Sequence, residues 1–357
     1  MEKKRNYGLD LLKIICMLMI IGLHYVYNCG IDNVTNFGIN YIFIWVLEAI
    51  CYVSVDCFVF ITGYFGIKNE RINYKRIVSL IIRTWFYSLM FLIIFVFYKK
   101  NISFSNIYTS IFPIITGQYW FITCYLLLVM VQPILNKIIK EYNEKLLKII
   151  KVLLIVFCVI PSVFPFSDQN IKLVGGTGFI WFIILYLVGA YIRINENNFK
   201  KNKNIIMFFS FILPPVIIKL LMKYLFNIDR GGAVFYHHNN IFIFLAALNI
   251  FIFMKNINIK KKLYKKFIEI FSISTFGVYL IHENVFLKRE LWGGIEKLQD
   301  VNSIFMPIYI IFTIMTIFFA SSLVETIRKK VFILLDIDNK FYEMILKLYN
   351  NFRKEKQ

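Results

Sequence analysis

Residues 8 to 29 read GLDLLKIICMLMIIGLHYVYNC, an almost unbroken apolar run. A helix needs about 20 such residues to cross a bilayer. The run is too long for the hydrophobic region of a signal peptide and has no small-residue cleavage site, so we expect it to remain as the first membrane span. A basic start precedes it, formed by Lys3, Lys4 and Arg5.

The composition extends this reading to the whole chain. Of the 357 residues, 59% are hydrophobic and only 17% are charged, which is far more apolar than one soluble core requires. The net charge of +20 could suggest nucleic acid, but the basic residues form short clusters between apolar runs and predict no nucleic-acid partner. The six cysteines have neither metal-binding nor disulfide spacing, and we expect no metal.

Further apolar runs predict an all-α, polytopic membrane helical bundle of about ten transmembrane helices. If the first residues are cytoplasmic, 30 of the 41 lysines and arginines fall in cytoplasmic segments, seven fall outside and four lie within spans. This asymmetry follows the positive-inside rule and places both termini in the cytoplasm. The predicted spans are roughly 9–28, 41–66, 77–98, 114–135, 149–166, 177–193, 205–226, 239–254, 268–287 and 304–326.

Two regions are expected along the chain. Residues 1–330 form the membrane-embedded domain, and no polar stretch is long enough to build a second one. Residues 331–357 form a basic cytoplasmic tail. In that tail Phe341, Ile345 and Leu348 lie at helical spacing, which predicts an amphipathic helix on the anionic inner leaflet.

Ionisable residues at membrane depth are costly and are therefore the first place to look for function. In the first span, Lys13 and His24 are 11 positions apart, about 16 Å along a helix and close to three whole turns. They share one face, with Lys13 near the inner boundary and His24 in the outer half. The same short list contains Asp10, Glu48, Asp56, Arg83, Lys219, His282 and Glu283.

Histidine can both accept and donate a proton near neutral pH, so His24 is the candidate for activating a hydroxyl. The alternative is a packing histidine or one that faces the outer headgroups. Lys13 either binds a ligand or snorkels to the inner headgroups. Glu48 and Asp56 lie roughly on one side of the second span, where either could orient His24 or neutralise Lys13 or Arg83.

Five motifs in order resemble the acyltransferase-3 family, membrane enzymes that O-acylate glycans at the bacterial surface. The first is GLDLLK at 8–13, followed by His24 and Tyr25. The others are VDCFVFITGYF at 55–65, YWF at 119–121 with Pro133, YLVGAY at 186–191 and FGVYLIHEN at 276–284. The resemblance covers nearly the whole chain, from about residue 5 to 330.

Three positions depart from the family pattern. Lys13 stands where arginine is usual, Thr62 replaces serine, and Asp56 stands where asparagine is frequent. Lysine keeps the positive charge but lacks the planar fork of arginine, which weakens the case for a bidentate contact at Lys13. The other two changes keep hydrogen-bonding ability.

The resemblance implies a multi-pass enzyme of the bacterial plasma membrane with no permanently bound cofactor. Acyl-CoA, acetyl-CoA by default, is the implied co-substrate from the cytoplasm, and the acceptor is a hydroxyl on a glycan. Cations for the CoA phosphates would be Lys13, Arg71, Lys75, Arg76 and Arg83, although the last four also obey the positive-inside rule.

Residues toward the outer side complete the predicted site. The candidates for substrate contact are Glu48, Tyr119, Trp120, His282 and Glu283, although interfacial aromatic belts also explain the two aromatic residues. The doublet His237 and His238 either binds the acceptor or lies in a solvated loop. The acceptor, the acyl chain and the oligomeric state are not predicted.

The resulting hypothesis is an O-acetyltransferase in which His24 deprotonates the acceptor hydroxyl or carries the acyl group itself, oriented by Asp56. The alternative is a transporter or flippase of a lipid-linked or acylated small molecule, or a silent scaffold. Transporters usually pair interrupted helices in two repeats. The sequence predicts a break at Pro214 and Pro215 without a partner in the other half.

Overall fold

The computed structural model describes residues 5–31, 36–98, 102–163, 175–199, 204–228 and 235–354. Within these ranges the chain is helical and contains no strand. The helices are α1 (Tyr7–Asn28), α2 (Ile39–Gly66), α3 (Tyr74–Tyr98), α4 (Phe104–Ile111), α5 (Trp120–Glu141), α6 (Leu146–Leu154), α7 (Ile160–Val163), α8 (Phe179–Ile194), α9 (Asn204–Phe226), α10 (Ile241–Asn256), α11 (Lys262–His282), α12 (Val285–Leu298), α13 (Met306–Leu334) and α14 (Ile337–Lys354). A π-helical turn, Ile155–Val159, joins α6 to α7.

The described part of the chain confirms a helical protein with several membrane spans. Seven helices are long and apolar enough to cross a bilayer, or eight if the bent pair α11 and α12 forms one span. Each of the ten predicted spans overlaps a helix, but α8 and α10 have only 16 residues each. The count of about ten and the cytoplasmic termini stay predictions, and residues 164–166 of the fifth predicted span lie outside the described ranges.

Two details of the predicted spans are wrong. The span 268–287 ends at His282, where the chain bends by 85° into α12, because the Asn284 side chain accepts a hydrogen bond from the Phe286 backbone and starts a new helix. The break expected at Pro214 and Pro215 is absent, and α9 continues through both prolines. Neighbouring helices and local adjustment make proline tolerable in membrane helices.

The central helix of the bundle is α2, which packs against α1, α8, α9 and α10. Gly63 of α2 faces the backbone of Tyr186, and Gly189 of α8 faces the backbone of Phe60, so a Cβ atom at either glycine would overlap the partner helix. Small residues of this kind let membrane helices approach closely without a hydrophobic driving force. This close pairing fixes α2 as one wall of the site.

The tail forms α14, which packs against α3. Asp338 near its start lies 3.7 Å from the Arg83 guanidinium and accepts a hydrogen bond from Ser79 at 3.2 Å. Phe341, Ile345 and Leu348 are exposed, as an amphipathic helix on a membrane surface requires. The assignment of 331–357 as a separate cytoplasmic region stays a prediction.

Candidate active site

A single cavity of about 700 Å³ runs between α1, α2, α3, α5 and α11. α1 and α2 are antiparallel, since Lys13 approaches the Phe65 ring at one end and Tyr27 bonds Glu48 at the other. The cavity therefore extends along both helices. Its wall has three parts, which are cations (Lys13, Arg76, Arg83), an apolar middle (including Met17, Ile20, Phe58, Ile61, Ile122 and Phe276) and a far end rich in rings (His24, Tyr27, Tyr52, Trp120, His237 and His238).

The cationic end is held by hydrogen bonds. The Lys13 ammonium lies 2.8 Å from Asp10, which also pairs with Arg5 at 2.6 Å. Arg76 donates to the hydroxyl of Tyr125. Five cations were predicted to bind the phosphates of the acyl donor. Lys13, Arg76 and Arg83 line the cavity, whereas Arg71 and Lys75 are exposed and form no part of its described wall.

His24 contacts two groups at the end of α11. Its Nδ1 lies 3.0 Å from Nε2 of His282 and 3.1 Å from Oε1 of Glu283. The Nδ1 atom of His282 lies 2.6 Å from the carbonyl oxygen of Val278. A carbonyl only accepts, so His282 in its neutral form donates through Nδ1 and presents a lone pair at Nε2.

This arrangement fixes the tautomer of neutral His24. Both neighbours of its Nδ1 are acceptors, so the hydrogen of the ring must reside on Nδ1. The lone pair is then on Nε2, and the ring forms part of the cavity wall. An imidazole with this tautomer can accept a proton or attack a carbonyl, and an adjacent carboxylate stabilises the cation that forms.

The acid that lies beside His24 is Glu283, whereas Asp56, which was expected to orient His24, contacts a different residue. Asp56 is fully buried and accepts a hydrogen bond from the indole of Trp181 at 3.0 Å. Helical periodicity shows which face of α1 carries His24 and which face of α2 carries Asp56. It does not show which residue at the end of α11 contacts His24. Glu283 also pairs with Lys288 of α12 at 3.0 Å, so its carboxylate is held from both sides.

The other predicted substrate residues separate into two groups. Trp120 lines the cavity. Tyr119 lies behind the wall, where its hydroxyl donates to the Leu280 carbonyl and accepts from Asn284, both at 3.1 Å. Glu48 lies behind Tyr27, which donates to it at 3.1 Å, and His282 and Glu283 contact His24.

The same three side chains resemble a metal-binding cluster by distance. One ligand atom each from His24, His282 and Glu283 lies within 4.8 Å of the others, and imidazole with carboxylate suits several divalent metals. The ammonium of Lys288 on the second oxygen of Glu283 is a competing cation. In the tautomers derived above, Nδ1 of His24 donates to Nε2 of His282, and Nδ1 of His282 donates to the Val278 carbonyl.

Sequence reasoning missed the position of His238. The sequence left two possibilities for the doublet, acceptor binding or a solvated loop, and the structure shows that His238 is 4% exposed and lines the cavity. Its neighbours Asn239 and Asn240 are also buried. A polar run immediately before an apolar helix gives no signal that distinguishes these cases.

Comparison with known proteins agrees with the five motifs. A family model described as an acyltransferase domain, that of the acyltransferase-3 family, matches residues 6–325 of the 357. Neither a curated protein nor a solved structure matches the chain. The matched range includes the helices that line the cavity, which are α1, α2, α3, α5 and α11. Because the match spans nearly the whole chain, the protein belongs to the acyltransferase-3 family of membrane acyltransferases.

Proposed function

We propose that this membrane acyltransferase moves an acyl group, acetyl by default, from cytoplasmic acyl-CoA to a hydroxyl of a lipid-linked or cell-surface glycan in a bacterial plasma membrane. The observation that carries the proposal is the continuous cavity, which joins three cations at one end to a histidine base near the other. A transferase that uses a phosphorylated donor needs both features in one space.

The cationic end suits the phosphates of CoA. Lys13, Arg76 and Arg83 reach the cavity from α1 and α3, and guanidinium groups bind phosphate with two parallel hydrogen bonds. Lys13 and His24 are separated by about 16 Å along α1. The apolar middle of the cavity gives the flexible pantetheine arm a path of that length, with its thioester placed at His24.

The lone pair on Nε2 of His24 serves two routes. In the first, Nε2 accepts the hydroxyl proton while the oxygen attacks the thioester carbonyl; the carbon–sulfur bond breaks, and the proton passes to the departing thiolate. In the second, Nε2 attacks the carbonyl and the carbon–sulfur bond breaks to release thiolate; the hydroxyl oxygen then attacks the acyl group, the imidazole leaves, and the hydroxyl proton passes to the thiolate. Both routes place positive charge on the ring, which Glu283 stabilises at 3.1 Å.

The test is reconstitution of the purified protein in liposomes of bacterial lipid with acetyl-CoA and extracted lipid-linked glycan. Wild type should release CoA thiol and acetylate the glycan in equal amounts. His24→Ala should abolish both while the protein stays folded in detergent, whereas Met19→Ala, on the same helix but outside the cavity wall, should retain both.

Two results would contradict the proposal. Full activity of folded His24→Ala would remove the histidine from the reaction. Movement of the glycan across the bilayer by wild type without thiol release would support the transporter alternative.

A further inference from the structure

His238 is a buried imidazole on the cavity wall that the reaction above does not use. It precedes α10 and is 4% exposed. Its Nδ1 lies 2.9 Å from the carbonyl oxygen of Tyr52 on α2, and its backbone N–H donates to the carbonyl of Gly175 at 3.2 Å. Contacts to two distant segments of the chain hold this ring in one orientation.

The contacts of His238 also determine which nitrogen carries the hydrogen. A carbonyl only accepts, so Nδ1 must donate to Tyr52. Burial lowers the pKa of His238 to about 4, and the ring is therefore neutral near pH 7 with a lone pair on Nε2. No described residue forms a hydrogen bond with Nε2, and the residue lines the cavity. The ring thus offers the cavity an acceptor and no donor.

Two aromatic rings lie close to the ring of His238. The ring centroid of Tyr52 lies 5.0 Å away and that of Trp120 lies 6.3 Å away. Aromatic faces of this kind pack against the C–H groups of an apolar or amphipathic ring, while a few fixed polar groups set its orientation. His238 and His24 line the same cavity.

The charge of the cavity changes along its length. Among the described residues, the lysine and arginine side chains of the wall, Lys13, Arg76 and Arg83, belong to the end that faces the acyl donor. Around His238 the described wall includes imidazole, phenol and indole rings with Thr177. Such rings suit a ligand that presents C–H faces together with hydroxyl groups.

We propose that His238 is a positioning residue for the acceptor, in which Nε2 accepts a hydrogen bond from a second hydroxyl adjacent to the hydroxyl that is acylated. This inference rests on the proposed function. It assigns the acceptor at this site to rings with neighbouring hydroxyl groups. A ring lacking the second hydroxyl leaves Nε2 buried and unpaired, which lowers its rate of acylation.

Two soluble probes test this inference, cyclohexane-1,2-diol with a neighbouring hydroxyl and cyclohexanol without one. Acetylation of each by the reconstituted full-length protein is measured with acetyl-CoA, together with released thiol. After correction for its two hydroxyls, wild type should favour the diol by about tenfold in kcat/KM, the effect of one neutral hydrogen bond.

Two variants separate positioning from structure. His238→Asn keeps an N–H near the Tyr52 carbonyl but has no acceptor at the place of Nε2, so the diol preference should disappear. His238→Gln places an amide oxygen near Nε2 and should restore part of the preference. If His238 has only a structural role, the diol preference should be kept in His238→Asn and lost in His238→Gln, because only asparagine preserves the contact to the Tyr52 carbonyl.

The outcomes are distinct. Equal use of both probes by wild type, or a diol preference retained in His238→Asn, overturns the role of His238, even when thiol release shows an active acyltransferase. Thiol release with no acetylation of either probe also overturns it. Absence of thiol release from wild type with every acceptor overturns the proposed function and this inference together.

Discussion

Replacing Glu283 with glutamine tests the derived geometry most directly. Glutamine keeps the shape of glutamate, and Nδ1 of His24 keeps its hydrogen bond to Nε2 of His282, so the orientation and tautomer of the imidazole persist. The negative charge beside the developing imidazolium is lost. The variant therefore isolates electrostatic stabilisation from positioning.

The magnitude is set by the 3.1 Å between the Glu283 carboxylate and Nδ1 of His24, which is close enough for an ion pair once the ring is protonated. A hydrogen bond to a charged group contributes about 1.5 to 3 kcal/mol, against about 0.5 to 1.5 kcal/mol for a neutral one. The difference of about 1 to 2 kcal/mol corresponds to a decrease of about 5- to 30-fold in kcat. The KM for acyl-CoA should change little, because the donor cations lie at the other end of the cavity.

The assay is thiol release and acceptor acetylation by the reconstituted protein at saturating donor. Glu296→Gln is the matched control, since Glu296 lies on the same helix α12 as Lys288 but is exposed, and it should behave as wild type. A Glu283→Gln variant with the kcat of wild type would refute the assignment of Glu283 as the partner of His24. A folded Glu283→Gln variant with no activity would show that positioning, and not charge alone, depends on the carboxylate.

Three further predictions use other parts of the site. Lys13→Glu should raise the KM for acyl-CoA at least about tenfold, because it places an anion where the phosphates of CoA bind. The control Lys148→Glu, on the exposed side of α6, should leave this KM unchanged. Equal KM values for the two variants would show that Lys13 does not bind the donor. Asp56→Asn should keep kcat within a few-fold of wild type, because the amide oxygen still accepts from the Trp181 indole. Asp56→Leu leaves the buried indole N–H unpaired and should lower the free energy of unfolding by about 1 to 3 kcal/mol. A strong loss of kcat in Asp56→Asn would show that Asp56 takes part in catalysis. Because burial lowers the pKa of His238 to about 4, the unfolded chain binds more protons than the folded one between that value and the usual 6.5, and stability falls as the pH falls through this window. At about pH 5 the loss from this residue is about 2 kcal/mol, so His238→Asn should show a smaller decrease of melting temperature between pH 7 and 5 in detergent; an identical decrease would contradict the burial of a neutral ring.

The sequence predicted the helices better than the site. Apolar runs identify membrane helices because lipid requires every backbone group to be paired within the segment, and each predicted run overlaps a helix. The cost of ionisable groups in lipid singled out His24 and Lys13, which do share a cavity wall. Both inferences use local properties of one helix.

The partners of His24 could not be predicted in the same way. Glu283 and His282 are more than 250 positions away, and their contact depends on how α1 packs against α11. The bend between α11 and α12 could not be predicted either, because the apolar run continues through it and only the capping side chain of Asn284 marks the start of the new helix. Periodicity selects a helix face, whereas the neighbour on that face is a property of the folded bundle.

The contact between Arg83 and Asp338 has a consequence for how any anion reaches the cationic end of the cavity. The Arg83 guanidinium already has the Asp338 carboxylate beside it, so a phosphate that binds there exchanges one counter-ion for another. Added salt weakens the old pair and the new one alike. Donor affinity should therefore depend less steeply on ionic strength than three cations in the wall would suggest.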